Sequence, residues 1–391
     1  MSLRIRYTLT ILAMVLCSLS PIMAQEERGV IVGAADIESY IGALAQKRVA
    51  LLANHTAVVD GDHIVDILQA KGVNITGIFA PEHGFRGSAD AGEVVKSSVD
   101  AKSGIKIRSL YNGNTHRPSD EAMRSFDILL VDMQDVGVRF YTYYIAMLRM
   151  IDACADFGKS VIILDRPNPH GAEVDGPLLD MRLKSGVGAI PVPVLHGLTM
   201  GEIALMAMGE GWSKRCNLEV VKCLNYTHST PYKITVAPSP NLRTQRSIEL
   251  YPSLCLFEGT VLSVGRGTEQ PFECFGHPNL KRATNYQFSF TPRPSYGAKE
   301  PLLNGKECYG VNLRDIANPP KGLQLDWVVE AFHELKLGEA FFKPIFDKLV
   351  GTTRVREMIL QGYSADEIES TWRDEVEEYM QLRKKYLIYD E

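Results

Sequence analysis

Ile75-Thr76-Gly77-Ile78-Phe79-Ala80-Pro81-Glu82-His83-Gly84-Phe85-Arg86-Gly87 sets an apolar run directly ahead of an acid, a titratable ring and a guanidinium, interspersed with Gly84 and Gly87. Pro81 removes a ladder donor and ends the strand. The glycines permit backbone angles closed to other residues, so the polar side chains beside them leave the sheet on a loop. A surface turn holding a Glu-Arg pair would share part of this pattern, but it needs less charge than the stretch carries.

Outward from that strand, apolar runs alternate with amphipathic stretches. The run Val49–Ala53 precedes helical spacing over 62–71. Runs at 105–110, 128–131, 161–164 and 192–194 are interleaved with helical patterns at 119–125, 144–157 and 199–208. Continuous β-branched runs separated by helices predict an α/β fold, a largely parallel sheet with helices on both faces. Right-handed crossovers then bring the carboxyl ends of its strands to one edge, where open α/β sheets bind ligands. After Tyr232 the chain becomes rich in Pro, Gly and polar residues. Strand-like spacing at 286–290 and helical spacing at 325–335 and 365–386 predict a smaller α+β domain at the C-terminus. The expected division is a signal peptide over 1–24, a catalytic domain over 29–267 and the C-terminal domain over 268–391.

The chain's 391 residues, 45% apolar and 23% charged, suffice for two such cores, and no segment is low in complexity or repeated. Arg4 and Arg6, an apolar stretch from Leu9 to Leu19 and Ile22-Met23-Ala24 before Gln25 read as a cleavable export signal too short to span a bilayer. An exported, periplasmic protein without a transmembrane anchor is the expectation. Removing 1–24 takes away both arginines and no acid, which makes the formal charge of −5 more negative still. That is no nucleic-acid footprint. Six cysteines remain at 154, 216, 223, 255, 274 and 308, free to pair in an oxidising compartment, and none has zinc spacing.

Each strand run ends in a polar cluster: Asn54-His55-Thr56, then Glu82-His83-Arg86, then Asp132, Gln134 and Asp135 leading to Arg139, Tyr141 and Tyr143, then Asp165-Arg166-Pro167-Asn168, and finally His196. A single histidine is more often a hydrogen-bonded structural residue, and the tyrosines suit plain packing. Five clusters on one edge suit a ligand better. There is no Gly-x-Ser-x-Gly elbow, no phosphate-cradling loop and no dinucleotide glycine motif, so neither a nucleotide nor another cofactor is expected. No metal is expected either. Carboxylates among Tyr, Asn and Arg suit a carbohydrate, with Glu82 as the acid that donates to a glycosidic oxygen and arginines matching a substrate carboxylate.

Several motifs together are distinctive: Pro81-Glu82-His83-Gly84-Phe85-Arg86-Gly87, the run from Asp132 to Tyr143, Asp165-Arg166-Pro167-Asn168-Pro169, His196-Gly197-Leu198-Thr199, and Glu258-Gly259-Thr260 with Gly265-Arg266-Gly267-Thr268. In this set the chain resembles the exo-β-N-acetylmuramidase, NamZ-like, family from about Val49 onward. The resemblance implies a Rossmann-like domain with a smaller C-terminal domain, and hydrolysis that releases N-acetylmuramic acid from non-reducing ends of peptidoglycan fragments. It implies Glu82 as the leading catalytic residue, with Asp135 and Tyr143 in the same cleft. Asn54, His83, Arg86, Gln134, Arg139, Asp165, Asn168, His196, Glu258 and Arg266 are then the expected substrate contacts. The alternatives are an exported muropeptide-binding protein that turns nothing over, and a metal-assisted hydrolase for which no ligand spacing speaks.

Overall fold

The structure, a computed structural model, describes residues 29–81, 85, 98–110, 117–282 and 285–391. Residues Ile31–Glu391 form one compact unit. Its centre is a seven-stranded sheet of β1 (Val49–Ala53), β2 (Ile75–Ala80), β3 (Ser98–Val99), β4 (Lys106–Ser109), β5 (Ile128–Asp132), β6 (Ser160–Leu164) and, further along the chain, Leu218–Val221. Between the last two come β7 (Val174–Asp175) and β8 (Leu195–His196), which form a separate antiparallel ribbon, so Leu218–Val221 is β9. Across the main sheet the order is β9-β6-β5-β1-β2-β4-β3, parallel throughout except for the short edge strand β3. The six parallel strands, counted along the chain, thus lie in the doubly wound order 3-2-1-4-5-6, whose switch point falls between β1 and β5.

Period-two alternation explains the two covered faces. Ala50 and Leu52 of β1, Leu129 and Val131 of β5 and Val161 and Ile163 of β6 enter one core. Val49, Leu51 and Ala53, Ile128 and Leu130, and Ile162 and Leu164 enter the other. The second face is closed by α1 (Ile37–Leu44) and α2 (Ile64–Ala70). The first is covered by α3 (Asp120–Arg124), α4 (Tyr143–Asp156) and α5 (Met200–Gly209), and its core continues into the C-terminal elements. Those are α6 (Gln245–Leu254), a three-stranded antiparallel sheet of β10 (Cys274–His277), β11 (Phe288–Phe290) and β12 (Cys308–Asn312), and then α7 (Asp326–Leu335), α8 (Phe346–Val350), α9 (Arg354–Gln361), α10 (Ala365–Glu369) and α11 (Arg373–Arg383).

Two expectations change. The run 192–194 is not a strand of the main sheet, because Pro191 and Pro193 deny it alternate ladder donors. The sixth parallel strand is β9 instead. The helix expected over 365–386 breaks at a 3₁₀ turn, Ser370–Trp372, where the hydroxyls of Ser370 and Thr371 bond back to the carbonyls of Glu367 and Ile368. The six cysteines of the described residues are all free thiols. No helix among the described residues is long and apolar enough to cross a membrane.

Candidate active site

At the switch point, side chains tie three strand ends together. Asn54, just beyond β1, accepts at Oδ1 from the Thr56 amide (3.0 Å) and hydroxyl (2.6 Å), and that hydroxyl oxygen accepts from the Gln134 amide at 2.9 Å. Gln134 Nε2 in turn donates to the carbonyls of Asp135 (2.9 Å) and Pro167 (2.8 Å). Thus Asn54 and Gln134 frame the site. Asn54 also keeps Nδ2 buried without a partner among the described residues.

Asp135 follows in the loop from β5 to α4. Its Oδ1 accepts from the Gly137 amide at 2.8 Å, while Oδ2 is buried with no partner among the described residues. Burial pushes this carboxyl up to about 7, an effect the amides of Gly137, Val136 and Tyr144 only partly offset. An orphaned acceptor costs about 1–3 kcal/mol, a penalty that a bound hydroxyl or glycosidic oxygen would relieve once the carboxyl carries its proton. Beside it, Tyr141 and Tyr143 stand edge to face, 4.7 Å between centroids, and both hydroxyls donate to the Pro238 carbonyl at 2.8 Å. His55 Nε2 meets the neighbouring Ala237 carbonyl at 2.8 Å, so the loop that opens the proline-rich segment is fastened over the sheet edge. The Tyr141 phenol is raised well above its ordinary value by burial, then by Tyr143 and by the charge of Asp135.

Next to this edge opens a cleft of about 770 Å³, within the size of small-ligand sites. One wall is Phe140, Tyr141 and Thr142 of the loop before α4; the other comes from the C-terminal half, including Glu258, Arg266, Phe272 and Lys343. Glu258 Oε1 accepts from Arg266 Nε at 2.6 Å, and the guanidinium lies over the Phe272 ring, 5.0 Å from its centroid. Arg266 is held there by turns at Gly265 and Gly267, with φ of +76° and +80°. A Cβ on either would approach a carbonyl oxygen, of Gln270 at 2.5 Å or of Arg293 at 2.4 Å, so the Gly-Arg-Gly pattern is a requirement of the backbone.

Other expected contacts lie inside the protein. Arg139 is fully buried and donates to the carbonyls of Pro177 (2.7 Å), Val192 (2.8 Å) and Leu349 (3.0 Å), joining the sheet side to α8; it meets no carboxylate among the described residues. Asp165, held up to about 6 by burial, accepts from the Gly201 amide at the start of α5 and from the Tyr389 hydroxyl. Asn168 Nδ2 bonds the Leu198 carbonyl, and its Oδ1 accepts from the His170 amide. His196 is buried, with Nδ1 accepting from the Leu198 amide, and burial brings it down to about 3, so it stays neutral. These four act as frame rather than as cleft lining. Glu82, His83 and Arg86 lie outside the described residues. Phe85 of the same stretch is buried, edge to face on His63, whose Nε2 meets the Asn54 carbonyl at 2.9 Å. Sequence reasoning missed Lys343; its signal was a lone cation between Phe341-Phe342 and Pro344.

Two family models match the chain: exo-β-N-acetylmuramidase NamZ, N-terminal, over residues 49–246, and exo-β-N-acetylmuramidase NamZ, C-terminal, over residues 249–389. A relative from Bacillus subtilis (strain 168), peptidoglycan β-N-acetylmuramidase NamZ, is 36% identical over 381 residues, spanning 90% of this chain and 89% of its own. Two crystal structures from Bacteroides fragilis NCTC 9343, both of DUF1343 family proteins, share the fold. One is 48% identical with a TM-score of 0.86, covering 93% of this chain and all of its own. The other is 28% identical with a TM-score of 0.80, covering 92% and 99%.

Proposed function

The chain belongs to the exo-β-N-acetylmuramidase NamZ family, and from that premise we propose that it hydrolyses peptidoglycan fragments, releasing N-acetylmuramic acid from their non-reducing ends. The observation that carries the reading to particular residues is Asp135: a carboxyl at the switch point that burial holds up to about 7, not itself in the cleft lining but beside Tyr141, which lines a sugar-sized cleft. A carboxyl of that kind suits a proton donor.

In the proposed reaction Asp135 gives its proton to the glycosidic oxygen as the bond to the anomeric carbon breaks. Positive charge develops at that carbon, water adds there, and the proton lost by the water goes to a second carboxylate. We assign that second carboxylate, from the sequence, to Glu82. We give the acid role to Asp135 rather than to Glu82 because burial raises the Asp135 carboxyl at the switch point, beside Tyr141 of the cleft wall. Tyr143 acts by fixing the Pro238 loop, given that its hydroxyl is committed to that carbonyl. We further propose that residues 1–24 direct export, which would carry the protein to its cell-wall substrate. N-terminal sequencing of the exported form should begin near Gln25.

The test uses a disaccharide of N-acetylmuramic acid on N-acetylglucosamine. Wild type should release both sugars. Asp135→Asn and Glu82→Gln should each lose on the order of 10² or more in rate. Absence of release by wild type, or full release by both variants, would refute the proposal.

A further inference from the structure

Lys343 lines the cleft half-buried, and its ammonium has neither a hydrogen bond nor an ion pair among the described residues. Its backbone is fixed, the amide donating to the Gly259 carbonyl at 2.8 Å one residue beyond Glu258. Glu258 is not its salt-bridge partner, having committed Oε1 to Arg266. Arg266 in turn uses only Nε, so neither terminal guanidinium nitrogen has a partner among the described residues. Burial lowers the Lys343 pKa, and the charge of Glu258 acts against that. Lysine is rarely withdrawn from water without a partner, because losing hydration is not repaid. Lys299 and Glu300 add one charge of each sign to the lining, which leaves one cation in excess.

We propose that Lys343 and the free edge of Arg266 form a carboxylate-binding site in this cleft, which takes the acidic ether substituent of the bound sugar. This inference rests on the proposed function for the identity of the sugar, and it names the residues that would distinguish a lactyl-bearing sugar from the same ring with a free hydroxyl. The ammonium supplies a point charge, and the guanidinium supplies two donors in a plane held by the Phe272 face.

The experiment is calorimetric titration of N-acetylmuramic acid and N-acetylglucosamine into wild type, Lys343→Met, Lys343→Arg and the exposed control Lys348→Met, each first shown to melt like wild type. Wild type should bind the acidic sugar roughly 10–100-fold more tightly, as one charge-assisted contact allows. Lys343→Met should lose most of that preference, while Lys343→Arg and Lys348→Met should keep it. Equal binding of both sugars by wild type, a preference intact in Lys343→Met, or an equal loss in Lys343→Arg overturns the site. A preference that depends on Lys343 in a protein that cleaves no muramic disaccharide would leave this site standing and remove the hydrolytic reading. Cleavage with an unchanged preference in Lys343→Met would do the reverse.

Discussion

Asp135 sits where two demands oppose each other. A carboxyl buried to about 7 destabilises the fold whenever it must ionise, yet that same burial leaves it a proton to give. The unfolded chain loses this proton near 3.8, the folded one near 7, so the folded state holds more protons between these values and stability falls as pH rises through that window. Asp135→Asn removes the penalty. Denaturant unfolding should show the variant gaining about 2–4 kcal/mol on wild type at pH 8 and little at pH 4; an equal difference at both would contradict the burial argument. A strand-end acid was legible from the sequence. Its environment was not, because the start of α4 and the Pro238 carbonyl that hold its neighbours are set by tertiary packing. Arg139 failed for the same reason, since its carbonyl partners at 177, 192 and 349 are remote in the chain.

Among the elements, continuous apolar runs placed β1, β2, β5 and β6, most of whose residues are buried. Short edge strands carry less signal: β9 is four residues with one exposed and two half-buried, a weaker apolar run than the proline-interrupted 192–194. Backbone conformation around Arg266 was legible only as glycine spacing. Gly267→Ala should strain a positive φ and press a Cβ on the Arg293 carbonyl, costing on the order of 1–3 kcal/mol by denaturant unfolding and raising KM as Arg266 shifts. An unaltered midpoint and KM would show that the turn is not needed.

For the whole molecule, the doubly wound order delivers the carboxyl ends of β1 and β5 to one edge, and the C-terminal half supplies the opposite wall of the cleft. The chain's end closes the assembly. Tyr389 donates to Asp165 at 2.8 Å and accepts from the Cys223 amide, and the Ile388 amide bonds Glu202. Tyr389→Phe leaves Asp165 with one donor fewer in a buried site, which raises its pKa further. The variant should lose about 1–3 kcal/mol, more at pH 8 than at pH 5, by denaturant unfolding; no loss at pH 8 would contradict the role given to the tail. That closure was invisible in the sequence, because nothing local to Tyr389 signals partners as remote as Asp165 and Cys223. The proposed hydrolysis turns on a buried Asp135 that donates the proton. The most direct measurement is kcat/KM for the muramic disaccharide from pH 5 to 9, in wild type and Asp135→Asn. The prediction is a wild-type rate that falls as pH rises through about 7 and a variant whose residual rate lacks that limb; a wild-type rate flat or rising through neutrality, or the same limb in the variant, would contradict it.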